Sequence, residues 1–262
     1  MFIHNINPVL FSIGPLEIRY YGIIYALGFI ITYFMLHYFV KSKRLSLKKE
    51  DIDDFVFYAV IGVVLGARFV YVLFYNLSYY LANPLESFAF WSGGLSFHGG
   101  LLGAVIAISI FCKKKKIRFY QIADLIVIPT ALGLALGRLG NFLNGELVGR
   151  ITDVPWGVKF KDYEGFRHPS QIYESFKNLI IFVSLWALKD KRIGEKKLPE
   201  GFLFWLFVIM YSTLRFIVEF WREPDSQLGF IFAGITMGQI LSFTTLIIGL
   251  VFIVKLKKKD KK

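Results

Sequence analysis

The sequence contains several apolar runs of about 18 residues or more that carry almost no charge, beginning with YYGIIYALGFIITYFMLHYFV at residues 20–40. A run of that length reads as a bilayer crossing. Only helices and closed barrels satisfy their backbone polar groups away from water. With 55% hydrophobic residues and a mean hydropathy of +0.54, the chain has too little polar sequence for a second, soluble core. The expectation is an all-α polytopic membrane protein with one domain, residues 1–262, and spans near 20–40, 53–75, 95–112, 121–143, 171–188, 202–221 and 230–254. The fifth span is the weakest, because Glu174, Lys177 and Asn178 interrupt it.

The net charge of +12 raises the possibility of nucleic acid, and its distribution argues against that partner. Of 31 Lys and Arg, 21 fall in the blocks KSKRLSLKKE (41–50), KKKKIR (113–118), KDKRIGEKK (189–197) and KLKKKDKK (255–262). Each follows an alternate apolar run, as cytoplasmic anchors do beside anionic headgroups. This predicts an outside N-terminus, a cytoplasmic basic tail at 255–262, and an extracytoplasmic head segment at 144–170. The N-terminal stretch has no basic n-region and does not read as a cleavable signal. The single cysteine, Cys112, reads as inert packing. Glycines four apart (Gly62 and Gly66, Gly99 and Gly103, Gly133 and Gly137) suggest close helix packing.

Arg68, Arg138 and Arg215 break apolar spans, each at about 2.5–3.5 kcal/mol near a helix centre. In the predicted topology they lie toward the outer face with His98, Asn141, Asn144 and Glu146, while Asp124 lies inward. Arg215 and Glu219 are four apart and share a helix face, and Arg138 and Asn141 are three apart. Arginine forks suit phosphate, and the nearest phosphates belong to lipid headgroups. The segment GRLGNFLNGELVGR (137–150) therefore reads as an anion site at a helix end. Since that end is C-terminal, side chains must supply the attraction against the helix dipole.

GRLGNFLNGELVG resembles the signature of the prolipoprotein diacylglyceryl transferase family. The likeness extends to YYG (20–22), GARFVYVLFYN (66–76), WSGGLSFHGGLLG (91–103), RHPSQIYE (167–174) and YSTLRFIVEFWREPD (211–225). Two departures stand out: segment 144–170 is short for the family's head, and Tyr20 stands where tryptophan is frequent. The resemblance implies a bacterial inner-membrane enzyme that moves a diacylglyceryl group from phosphatidylglycerol to the lipobox cysteine of a preprolipoprotein. A thioether forms and glycerol phosphate leaves, without metal or organic cofactor. The thiol needs a base, for which His98 is the candidate. The departing phosphate needs its charge held, for which Arg138 and Arg215 are candidates, with Glu219 orienting Arg215. Asn141, Glu146 and Gly149 match the family's functional block and Tyr211 a position lining the site. Tyr21 is read either as a headgroup partner or as an interfacial aromatic. Arg68 is left unassigned, and His168 reads as a helix-start residue with a site role open.

Two rivals come from other classes. A serine protease built on Ser96 and His98 fails because residues two apart on a helix do not face each other. A lipid or anion transporter using the same arginines is the alternative, though repeats and broken midplane helices, its usual marks, are not evident.

Overall fold

A computed structural model describes the chain except residues 15, 43, 46, 90–92, 191, 194–195, 225–228, 233 and 260–262. The apolar runs become long helices, and eight α-helices occur among the described residues. They are α1 (Tyr20–Lys41), α2 (Glu50–Tyr75), α3 (Leu77–Ala82), α4 (Phe97–Lys115), α5 (Phe119–Asn144), α6 (Ser170–Leu188), α7 (Phe202–Val218) and α8 (Met237–Lys259). Among the described residues, α1, α2, α5 and the Met237–Leu256 part of α8 are the four long and apolar enough to cross a membrane. Large apolar side chains face outward, with Phe34, Phe57 and Phe74 at 65%, 66% and 78% exposure. That surface suits lipid rather than water.

The fold is built on helices, as the sequence predicts, and eight short strands pair two by two among the described residues. β1 (Phe2–His4) runs parallel to β4 (Val158–Phe160), with Phe2 opposite Val158 and His4 opposite Phe160. β2 (Val9–Ile13) and β3 (Leu16–Arg19) form a hairpin before α1, and β5 (Arg192–Ile193) and β6 (Lys196–Lys197) another between α6 and α7. β7 (Phe230–Phe232) and β8 (Ile235–Thr236) replace the first turns of the predicted last span, which starts as helix only at Met237. Gly234 at φ 77° turns that hairpin, a conformation that favours glycine.

The chain forms two compact units, residues 36–122 and residues 1–35 with 123–262. In the first, α2 packs on α4 through glycines. A Cβ on Gly66 would lie 2.7 Å from Gly103 Cα, and one on Gly62 would lie 2.6 Å from the Gly103 carbonyl oxygen. Both expected glycine pairs therefore permit backbone approach. Gly133 and Gly137 do not act this way: nothing lies within 4 Å of a Cβ at Gly133, and only the Tyr25 ring, at 3.9 Å, near one at Gly137. Phe55, Phe111, Phe39 and Ile52 fill the interior of this unit, and Lys115 ties α4 to Asp51 and Asp54 at 2.5 and 2.8 Å.

In the second unit α5, α6, α7 and α8 carry the polar interior. Asp124 caps a helix other than its own, accepting from Gly201 N at 2.7 Å and Phe204 N at 2.8 Å at the start of α7. That supplies acceptors for two of the N–H donors that a helix N-terminus leaves unsatisfied. Segment 145–169 folds over the end of α5 around Val148, Val158 and Phe160. His4 of β1 packs on Phe142 and Phe160 with centroids 5.3 and 5.2 Å away, so the N-terminus is stitched to this segment.

Candidate active site

The motif that closes α5 leads into a strained loop. Gly145 has φ 68° and Leu147 φ 56°, the latter a left-handed conformation costing about 1–2 kcal/mol for a residue with a side chain. Helix α6 holds it there: Gln171 Nε2 donates to Glu146 O at 2.6 Å and Ser170 Oγ to Leu147 O at 2.9 Å. Inside the turn, Arg138 donates to Asn141 Oδ1 at 3.4 Å, and Asn141 and Asn144 donate to Glu146 Oε1 at 2.8 and 3.2 Å. Four of the sequence-predicted residues thus form one network. Glu146 reaches Arg138 through Asn141 in this network.

Gly149 is required by space. Its N–H donates to His168 O at 2.9 Å, and a Cβ there would sit 2.6 Å from both His168 Cβ and Trp221 O. Three segments cross at this point, so its role here is close backbone approach. Gly140 does the same for α1, since a Cβ would lie 2.9 Å from Tyr21 Cδ2. Tyr21 donates to Tyr25 OH at 3.0 Å and interacts with Asn141 and Glu146, which sets it against the motif.

The centre of the site is Glu174, one of the polar residues that interrupt the fifth predicted span. Its Oε1 accepts from Arg215 Nη1 at 2.5 Å. Its Oε2 faces Lys177 Nζ at 3.2 Å and Arg138 Nε at 3.5 Å. Arg215 also pairs with Glu219 at 2.7 Å, as the four-residue spacing predicted, and Arg222 approaches the same carboxylate at 3.8 Å. Thr236 Oγ1 donates to Glu219 Oε1 at 3.1 Å, so the start of α8 closes the far side. Tyr211 hydrogen-bonds Arg138 and lies with its ring 3.7 Å from Lys177 Nζ. A signal for Glu174 was present in the sequence. Ser170, Gln171, Glu174, Ser175, Lys177 and Asn178 recur with helical period and are all buried on α6, an inverted amphipathic stripe.

The remaining candidates have local settings of their own. His98 belongs to the unit of residues 36–122, exposed in the first turn of α4. Ser96 caps that helix, accepting from Gly99 N at 3.3 Å, and its own N–H donates to Ala67 O at 3.0 Å. Arg68 has a structural use: its guanidinium donates to Glu86 O, Ser87 O, Gly93 O and Gly94 O at 2.5–3.1 Å and stacks on Tyr80. His168 Nδ1 lies 3.0 Å from Tyr173 OH, which accepts from Trp156 Nε1 at 2.7 Å. Burial lowers the His168 pKa from its ordinary value and favours the neutral ring. Among the described residues no group of three or more His, Cys, Asp or Glu is arranged to hold a metal.

A half-buried arginine pair that shares the buried Glu174 carboxylate, one arginine lying within GRLGNFLNGELVG, is one half of the identification. Comparison with known proteins supplies the other, because the family model of prolipoprotein diacylglyceryl transferase matches residues 8–255. The chain belongs to that family. It is 47% identical over 257 residues to the phosphatidylglycerol–prolipoprotein diacylglyceryl transferase of Geobacter sulfurreducens, covering 97% of both chains. The protein of the same name from Bordetella parapertussis is 46% identical, covering 94% of this chain and 93% of the relative. That of Desulfotalea psychrophila is 44% identical, covering 94% and 91%. These diacylglyceryl transferases thus match this chain over nearly its whole length.

Proposed function

We propose that the chain transfers the diacylglyceryl group of phosphatidylglycerol to the lipobox cysteine thiol of a preprolipoprotein, forming a thioether and releasing glycerol phosphate. The observation that carries this reading is the pair Arg138 and Arg215, joined through buried Glu174 beside the family's signature turn. In the reaction the sulfur attacks the glycerol carbon that bears the phosphate. A C–S bond forms, the C–O bond breaks, and the thiol proton passes to a base. Arg138 and Arg215 hold the phosphate, their always-charged forks offering paired donors to its oxygens. Glu174 and Glu219 fix the Arg215 fork between them. Asn141, Glu146, Tyr21 and Tyr211 line the headgroup, and Gly149 keeps the turn closed. His98 is the base, acting as a neutral imidazole.

The same reading takes residues 1–262 as one membrane domain of seven spans in the bacterial inner membrane. The N-terminus and residues 144–170 lie outside, and the tail 255–262 lies in the cytoplasm. The pairing of β1 with β4 supports a common side for the first two, and the alternate lysine blocks support the orientation. The other substrate is the signal helix and lipobox of the preprolipoprotein, met within the surrounding lipid.

Labelled phosphatidylglycerol and a lipobox peptide, incubated with purified protein, test the reaction: a thioether product is expected, and a transporter yields none. For the base, His98→Gln should leave slow transfer that rises at alkaline pH, where the thiol ionises unaided. Loss of lipid binding without alkaline recovery would make His98 a headgroup contact instead.

A further inference from the structure

Helix α7 starts from Gly201, an N-cap at φ 90° that has no side chain to offer its first turn. The N–H groups of Gly201 and Phe204 go instead to the Asp124 carboxylate of α5, at 2.7 and 2.8 Å. A carboxylate at a helix N-terminus gains from the dipole as well as from charge-assisted hydrogen bonds. A side chain at the N-cap itself would satisfy the same donors. A residue 77 positions away does something a local cap cannot, since it fastens the start of α7 to one point on α5.

Sequence spacing shows what that fastening sets. Asp124 and Arg138 are 14 residues apart on α5, and Gly201 and Arg215 are 14 residues apart on α7. Fourteen helical residues rise about 21 Å. Two helices joined at the base and of equal rise bring their arginines level. At the outer end Arg138 and Arg215 do meet, on the Glu174 carboxylate at 3.5 and 2.5 Å. Tyr211, one turn below Arg215, hydrogen-bonds Arg138. Helix α8 travels with α7, because Ser212 Oγ lies 2.7 Å from Thr245 Oγ1 and Trp205 stacks on Phe252 at 4.4 Å. Helix α6 is joined to α5 by Ser175 Oγ, which donates to Ala135 O at 2.9 Å. Asp124 thus links one helix pair to the other at the end away from the chemistry.

We propose that Asp124 is a positioning residue for the transfer: by holding the first turn of α7 it sets the height of Arg215 opposite Arg138, so that both forks reach one phosphate. The inference rests on the transferase reading given above. Height matters because misplacing a reacting group by about 1 Å can cost about 10²-fold in rate. A long arginine side chain still reaches a bound lipid from a shifted backbone, so the loss falls on turnover more than on binding.

The test uses the full-length protein in detergent with phosphatidylglycerol and a lipobox peptide. Asp124→Ala should lower kcat about 10–100-fold at matched folded protein, with KM for phosphatidylglycerol within about 3-fold of wild type. Asp124→Glu keeps the charge and both acceptor oxygens but is one methylene longer. It should melt close to wild type and still lose about 10-fold in kcat. Spin labels at Thr130 and Ile217, both exposed, report the height directly in a Cys112→Ser background. These positions are about 15 Å apart along the helix axis, so a slide of α7 changes their separation. That separation should shift or broaden in both variants.

Wild-type kcat in both variants would overturn the proposal. So would lost turnover with unchanged label separation, or turnover that simply follows melting temperature, which means a cap that only stabilises. Should Asp124→Ala not fold, Asp124→Glu carries the same comparison. A wild type that makes no thioether would sink the transferase reading, and the label separations of wild type and Asp124→Glu would still decide whether Asp124 sets the height of α7.

Discussion

Arg215→Ala separates the chemical and structural duties of the buried cluster. Losing its guanidinium removes the 2.5 Å contact to Glu174 and the 2.7 Å contact to Glu219. Both carboxylates are almost wholly buried, and breaking a buried pair from one side costs about 3–5 kcal/mol. The cost divides unevenly. Glu174 keeps Lys177 at 3.2 Å and Arg138 at 3.5 Å, whereas Glu219 keeps Arg222 at the longer distance of 3.8 Å. Adding Glu219→Gln should therefore recover about 2–3 kcal/mol of the lost stability, since the stranded charge sits mainly there. Turnover should behave otherwise. Removing a donor from a developing oxyanion slows reactions about 10²–10³-fold, and neutralising Glu219 supplies no replacement donor. The assay pairs thioether formation, at matched protein amount, with thermal unfolding in detergent for the single and double variants. If the double variant regained turnover along with stability, Arg215 would be a structural residue and the phosphate site would have to be sought elsewhere.

Gly103→Ala drives a methyl group into the Gly62 carbonyl and Gly66 Cα, so it should destabilise the α2–α4 pair by about 1–3 kcal/mol, read as a lower melting temperature. In a Cys112→Ser background, a cysteine at Asp153 should react with an impermeant thiol reagent from outside and one at Lys116 should not; the opposite pattern would invert the orientation. His168 has a folded pKa pushed below the ordinary value of about 6.5, so the unfolded chain binds more protons in the window beneath it. Stability should be full above about pH 6.5, fall as pH drops through that window, and lose this slope in His168→Gln. A pH–melting curve identical in the two proteins would remove His168 from the linkage.

Much of this architecture was legible because membrane helices declare themselves locally. Apolar runs near residues 20–40, 53–75 and 121–143 became α1, α2 and α5, and the arginine spacings found the Arg215–Glu219 pair and the Arg138–Asn141 contact. What stayed hidden was non-local or ambiguous in period. A three-residue strand such as β1 has no pattern of its own, and its partner lies some 150 residues away in sequence. The apolar residues 230–236 suit helix or hairpin equally until Gly234 turns them. Glu174 and Lys177 were visible as charges, but a search for spans treats charge as an interruption. Their helical period would have identified them as one face. Gly133 and Gly137 had the right spacing for close packing, but each has room for a Cβ, which spacing alone cannot show.

The buried polar stripe of α6 also bears on how such a protein is made. Ser170, Gln171, Glu174, Ser175, Lys177 and Asn178 make up about a third of the helix, and α6 is not among the four described helices long and apolar enough to cross a membrane. A lone segment with an ionised Glu and Lys partitions poorly from the insertion machinery into a bilayer. The partners that neutralise it are Arg138, already upstream on α5, and Arg215, which emerges later on α7. Stable integration of α6 therefore waits on its neighbours, and the last of them is the residue assigned to the phosphate. Biogenesis then acts as quality control for catalysis: a chain that fails to gather its arginines around Glu174 leaves α6 outside the lipid, exposed to membrane proteases before it meets a substrate.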